Sequence, residues 1–174
     1  MVLSEQHRHF LRVEQCIHPF LFNFVINGVI AWLVTRSHET LPLWGEGGIG
    51  VDLIATSILL PLLTAIIVSR VIRGQINKGK IARLDPAKIE TRGLHHRPAW
   101  IRGLVLAAAV LAFAGGPLVL LLHLAQAQPV DTLSFVGFKA LWAGGVAMLI
   151  SPIIAWWALC AASTSDLAPE TGVT

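Results

Sequence analysis

Apolar residues gather in four long stretches, and polar residues fill the segments between them. The stretches run over about Ile17–Thr35, Ile49–Ile72, Ile101–Ala125 and Phe138–Ala162. A helix needs roughly 20 mostly apolar residues to cross the hydrocarbon core of a bilayer. Because backbone polar groups in lipid must be satisfied within their own segment, we expect helices here rather than irregular chain. The pattern therefore predicts an all-α, integral membrane four-helix bundle.

Composition favours lipid over water as the solvent of these segments. Of the 174 residues, 55% are hydrophobic and 13% are charged, and the mean hydropathy is +0.69. Soluble domains are about 25% charged. The soluble alternative, in which the four stretches are buried core helices, leaves too little chain to cover them.

The positions of the charges predict the direction of each span. Nine basic residues lie from Arg70 to Arg102 and are opposed by Asp85 and Glu90 alone. Because Lys and Arg are retained on the cytoplasmic side, this loop and both termini are expected there. The predicted organisation is a cytoplasmic arm at 1–16, a four-helix domain at 17–165 with a cytoplasmic loop at 73–100, and a cytoplasmic tail at 166–174.

Small and polar residues recur at four-residue spacing, which places them on one helix face. Such faces let helices approach closely in lipid, so we expect them to point into the bundle. The expected packing residues of the third and fourth spans are Ala108, Ala112, Gly116, Ala143, Ala147, Ser151 and Ala155. The corresponding rows of the first and second spans are Asn23, Asn27 and Ala31, and Ser57, Pro61, Ala65 and Ser69.

A weak internal repeat leaves open an arrangement of two tandem transmembrane hairpins. Gly50 and Gly137 open the second and fourth spans, and Pro61 and Pro152 follow them. The repeat is imperfect, because the Gly-to-Pro gaps differ by about one helical turn. Prolines inside spans also have two interpretations: tolerated kinks in a static bundle, or breaks that expose carbonyls in a transporter.

Four polar residues are candidate interhelical contacts. Asp52 and Lys139 lie near the outer ends of the second and fourth spans, where charge is costly unless it is paired or hydrated. We hypothesise an Asp52–Lys139 ion pair, and the alternative is that each reaches the headgroups separately. Asn23 and Asn27 lie one turn apart in the first span, and each amide needs a partner. We expect them to bond to another helix, with lining of a polar path as the alternative.

The basic loop predicts contact with an anionic membrane surface, where each Lys or Arg contributes on the order of 1 kcal/mol. The alternative is that these charges serve only to orient the spans. Nucleic acid is not an expected partner, since Trp100 is the only aromatic residue near the loop and single-strand binding relies on stacked aromatics. The residues expected to contact lipid headgroups are Arg73, Lys78, Lys80, Arg83 and Lys88.

No sequence motif points to catalysis, a cofactor or a metal. The chain has no P-loop, dinucleotide fingerprint, nucleophile elbow or zinc-site spacing. Cys16 and Cys160 do not form a disulfide framework. A haem would need two ligands at matching depth, and although His123 could pair with His38, His38 falls in an outer loop. We therefore expect no catalytic residue, cofactor or metal site.

Together these features favour a non-enzymatic multi-pass protein of a bacterial inner membrane. Its expected role is that of an accessory or scaffold subunit of a membrane assembly, or of a homo-oligomer, because little soluble chain and few intramembrane charges remain for chemistry. The alternative is a small oligomeric transporter or channel for a small polar solute or ion, suggested by the prolines, Asn23 and Asn27. A continuous polar path between the helices would distinguish the two.

Overall fold

The computed structural model describes residues 15–85, 89, 93–126 and 129–164, and helices contain 79% of them. The helices are α1 Gln15–Thr35, α2 Ile49–Asn77, α3 Ala99–Leu124 and α4 Thr132–Thr164, and all four are long and apolar enough to span a membrane. Most of the arm at 1–16 and the tail at 166–174 lie outside the described residues.

Two helices extend well past the predicted apolar spans: α2 continues beyond Ile72, and α4 begins at Thr132 rather than at Phe138. The helix α2 runs on to Asn77, where Gly79 adopts a φ of +67°. The N–H groups of Gly79 and Lys80 then bond back to the carbonyls of Ile76 and Gln75, both at 2.9 Å. A left-handed glycine of this kind ends many helices.

The helices pack side by side in the order α1, α4, α2, α3. In the most apolar part of each helix, 56% of the residues of α4 are buried but only 6% of those of α1. The last helix is therefore the centre of the bundle, and α1 rests on its outer face. Among the described residues, α1 has no extensive contact with α2, and α3 has little with α4. Of the two helix pairs expected from tandem hairpins, α1 and α2 therefore do not pack together, whereas side chains of α3 and α4 share apolar clusters without close backbone contact.

The small-residue row of α4 is fully enclosed. Ala143, Ala147, Ser151 and Ala155 are each 0% exposed. Ala143 and Ala147 pack with Leu60 of α2 in one apolar cluster, and Ala155 belongs to a second cluster near the end of α2. This face of α4 therefore fills the centre of the molecule.

The predicted row of α3 is wrong by one residue. Ala108 and Ala112 are exposed and Gly116 is half-buried, whereas Gly103, Ala107 and Gly115 are buried. The cause is backbone approach: a Cβ on Gly103 would lie 2.9 Å from the Cα of Leu62, and one on Gly115 would lie 2.0 Å from Ser57 Oγ. Residues without a side chain thus decide which face of α3 meets α2.

A π-helical turn at Leu111–Gly115 interrupts α3. Pro117 follows directly, in the first turn of the next α-helical segment, Gly116–Leu124. Because proline lacks an N–H and its ring clashes with the preceding turn, the backbone widens there rather than continuing as a regular α-helix.

Two short strands, which the all-α prediction did not include, join the loops at one end of the bundle. The strands β1 Thr40–Leu41 and β2 Val130–Asp131 pair antiparallel, with Thr40 opposite Asp131. Leu41 is 0% exposed. The hydroxyl of Thr132 donates to the carbonyl of His38, and the N–H of Ser134 bonds to Asp131 Oδ1 at 2.9 Å. We call this end of the molecule the strand end.

Replacing Gly144 with valine is expected to destabilise the contact between α4 and α1. A Cβ on Gly144 would lie 3.0 Å from the ring of Phe20 and 3.1 Å from its carbonyl oxygen. Overpacking of this kind costs about 1–3 kcal/mol, so the thermal unfolding temperature of the detergent-solubilised protein should fall. A Cβ on the adjacent Gly145 would meet nothing within 4 Å, so Gly145→Val is the matched control. Equal melting temperatures for the two variants would contradict this account.

Candidate functional site

An ion pair connects α2 and α4 near the strand end. Lys139 Nζ contacts Asp52 Oδ1, and the side chains of the two residues are 6% and 32% exposed. Asp52 lies in the first turn of α2, where the helix dipole stabilises a negative charge. The hypothesised partners are therefore adjacent, and the positive charge of Lys139 is buried beside a carboxylate rather than extended to the surface.

The amides of Asn23 and Asn27 do not reach another helix. The Nδ2 of Asn23 donates to the carbonyl of Pro19 at 2.9 Å, and that of Asn27 donates to the carbonyl of Asn23 at 3.0 Å. Both bonds lie within α1, so the prediction that these amides bond to another helix is wrong. The side-chain amide of each asparagine instead donates to a backbone carbonyl one turn earlier in the same helix.

Polar contacts at the strand end hold the loops together. Trp44 Nε1 donates to His123 Nδ1 at 3.2 Å. Hydrogen bonds from the side chain and backbone of Ser134 lower the pKa of the Asp131 carboxyl below its ordinary value. Nearby, Leu43, Ile49, Leu118 and other apolar residues line a cavity of about 270 Å³. Among the described residues, no group of three or more His, Cys, Asp or Glu side chains could hold a metal ion.

A larger cavity lies at the opposite end, where α2 and α4 end and α3 begins. Its volume is about 790 Å³. We call it the basic cavity, because its lining includes four arginines and two histidines: Arg70, Arg73, Arg97, Arg102, His95 and His96. None of the described residues that line it is acidic.

Arg102 is the buried member of this set. It lies one turn into α3 and is 5% exposed. Its Nη2 donates to Ser69 Oγ of α2 at 3.2 Å, and its Nε and Nη1 are buried without a hydrogen-bond partner. Because Ser69 also lines the cavity, this bond fixes the guanidinium at the cavity wall.

The other three arginines are exposed around Arg102. Arg73 is close enough for its charge to repel that of Arg102. Within the described part of the chain, no carboxylate forms an ion pair with Arg70, Arg73 or Arg97. The like charges of Arg73 and Arg102 destabilise one another unless a nearby anion offsets them.

The turn that carries two histidines of the basic cavity begins after Gly93. Its φ is +156°, and a Cβ there would lie 2.9 Å from Nδ1 of His95. His95 and His96 form a single 3₁₀ turn with Leu94, and their rings lie 4.1 Å apart. Glycine therefore permits the backbone conformation from which this turn begins, and the turn supplies the two histidines to the lining of the cavity.

The residues expected to contact headgroups have different positions in the structure. Arg73 lines the basic cavity, whereas Lys78 and Lys80 are exposed and do not line it. Arg83 is exposed and makes other interactions, and Lys88 lies outside the described residues. Sequence reasoning counted Arg102 only as a loop charge. Its place at the start of an apolar span was the available signal that it is buried.

The fold defines the class of this chain as a helical protein with four helices long and apolar enough for a multi-pass membrane protein. No protein-family model matches its sequence, and comparisons with curated proteins and with solved structures find no match.

Exchanging the charges of Asp52 and Lys139 is expected to preserve the fold, whereas each single change should disrupt it. Asp52→Lys or Lys139→Asp places two like charges in a partly buried site, and breaking a buried pair costs about 3 kcal/mol or more. The yield of folded protein on size-exclusion chromatography and the thermal unfolding temperature would measure the loss of stability in each single variant and its recovery in the double variant. Glu46→Lys, at an exposed position of the same end, is the control. Single variants as stable as this control would exclude a structural role for the pair.

Proposed function

We propose that this chain is a non-enzymatic multi-pass protein of a bacterial inner membrane, which serves as an accessory or scaffold subunit of a membrane assembly or of a homo-oligomer. In this proposal both termini and the basic cavity are on the cytoplasmic side. The concentration of Lys and Arg at the cavity end supports this orientation, because cytoplasmic loops retain positive charge.

The closed apolar interior is the observation that carries the proposal. Between the basic cavity and the strand end, the centre of the bundle is filled by a cluster that includes Leu60, Leu106, Val146 and Ile150. Among the described residues the members of this cluster are all apolar, and the side-chain amides of Asn23 and Asn27 donate to carbonyls within α1. A bundle with a packed apolar centre and little soluble chain is suited to holding partners in a membrane rather than to moving a solute through it.

A transporter or channel is the second candidate, and one observation favours it. The π-helical turn of α3 packs against α2, where Gly115 meets Ser57, one turn before the buried Pro61. A π-helical turn beside a proline of the neighbouring helix resembles the broken helices that transporters use for binding and gating. The space at this depth, however, is filled by side chains, so the accessory role has the stronger support.

Reporter fusions test the orientation. Alkaline phosphatase, which is active only after export, is expected to be inactive when fused after Thr174 and active when inserted at Gly47, an exposed position of the strand end. A fluorescent protein that folds only in the cytoplasm should give the opposite pattern. An active phosphatase at Thr174 would show that the chain is inserted in the reverse direction.

Native mass spectrometry after gentle solubilisation tests the subunit role. A chain of 18.8 kDa that belongs to an assembly should leave the membrane in a particle that contains further copies or other membrane proteins. The control is a sample treated with a harsh ionic detergent, which should give the single chain. A single chain under both conditions would contradict the proposal.

A further inference from the structure

We propose that the basic cavity is a binding site for a phosphate group, either on the headgroup of an anionic phospholipid or on a soluble phosphate compound. The inference rests on the proposed membrane setting, and it narrows a general attraction to anionic lipid to one site with named residues. It assigns the recognition to Arg102, Arg97, Arg73 and Arg70 rather than to the exposed lysines of the loop.

Arg102 provides the first reason. Its side chain is 5% exposed, yet two of its nitrogen atoms have no hydrogen-bond partner. A buried guanidinium with unused donors is costly, and its Ser69 contact satisfies only Nη2. Because Arg102 lines the cavity, an oxyanion bound there would lie beside the buried guanidinium and stabilise its charge, and bonds between ionised groups are stronger than neutral ones.

The net charge of the cavity provides the second reason. Four arginines line it, and none of its described lining residues is acidic. The arginines carry their charge at any physiological pH, and their planar donor sets match the oxygens of phosphate. A single carboxylate has one charge and two oxygens. A phosphate monoester carries up to two charges and three terminal oxygens, and cardiolipin carries two phosphodiester groups with one charge each, so either fits a set of four arginines better.

The backbone of α3 adds to the attraction. Pro98, Ala99 and Trp100 line the cavity, and they form the start of a helix that runs to Val110 before the π-helical turn. The first N–H groups of a helix have no acceptor within it, and the helix dipole adds partial positive charge at this end. The start of a helix is a common feature, but here it lies beside the buried guanidinium of Arg102, and both line the same cavity.

The size and the walls of the cavity indicate that the phosphate belongs to a larger molecule. A volume of about 790 Å³ is within the range of sites for whole organic ligands. Ile66 and Trp100 supply apolar wall, and Trp100 is 54% exposed. An exposed tryptophan beside cations is typical of the interfacial zone of a bilayer, where headgroups lie.

The test compares four proteins in mixed detergent micelles: the wild type, Arg102→Gln, Arg97→Gln and Lys78→Gln. Lys78 is an exposed cation on the same end of the molecule and does not line the cavity, so its variant is the matched control. Cardiolipin and phosphatidylcholine are titrated separately, and bound lipid is measured by native mass spectrometry. In a second arm, inorganic phosphate and pyrophosphate are titrated by calorimetry and then used as competitors of cardiolipin.

Arg102→Gln and Arg97→Gln are each expected to weaken cardiolipin binding by roughly tenfold, because each removes charge-assisted bonds, while Lys78→Gln retains wild-type affinity. Arg97 is exposed, so its variant tests the site even where Arg102→Gln fails to fold. Cardiolipin binding that soluble phosphate does not displace indicates the lipid source. Tight pyrophosphate binding with the same dependence on Arg97 and Arg102 indicates the soluble source.

Equal weakening by all three variants would overturn the inference, since it would show diffuse attraction between the whole basic end and an anionic micelle. A wild-type protein that binds neither cardiolipin, nor inorganic phosphate, nor pyrophosphate would overturn it as well. Neither result bears on the proposed accessory role, which the reporter fusions and the subunit mass test separately.

Discussion

Close contact between helix backbones, made possible by small residues, is the constraint on which the architecture depends. The fully enclosed row from Ala143 to Ala155 places one face of α4 in the centre. Gly144 lets α1 rest on another face, and Gly103 and Gly115 bring α3 onto α2. In lipid, where apolar surface alone gives no preference for one partner, such contacts decide which helices are neighbours. The order α1, α4, α2, α3 follows from where these residues lie.

The ends of the bundle differ in how they are held. At the strand end, the paired strands, the Trp44–His123 bond and the Asp52–Lys139 pair connect loops and helices through complementary groups. At the other end, four arginines surround a cavity whose described lining holds no acidic residue. Positive charge at the strand end is thus paired within the chain at Lys139, whereas the other end concentrates positive charge around Arg102. This difference locates the candidate site at the basic end.

The sequence predicts the four helices well, because apolar blocks of this length have few alternatives, and charge placement also suggested that Asp52 and Lys139 could meet. It fails for the packing face of α3. Ala108 and Ala112 form one small-residue row and Gly103 and Ala107 begin another, and the sequence gives no reason to prefer either. The basic cavity was not predicted either, because it depends on the end of α2, the start of α3 and the turn of His95 and His96 lying together. This arrangement is a tertiary feature without a local pattern.

The central position of α4 has a consequence for biogenesis. The helix α1 leaves the ribosome first, but its packing partner begins only at Thr132. During synthesis in the proposed membrane setting, α2 and α3 can associate as soon as both are inserted, whereas α1 must wait for the last helix. Its exposed apolar surface, which includes Phe22 and Val25, lets it remain stable in lipid alone during that interval. The late arrival of α4 then joins two preformed parts into one molecule.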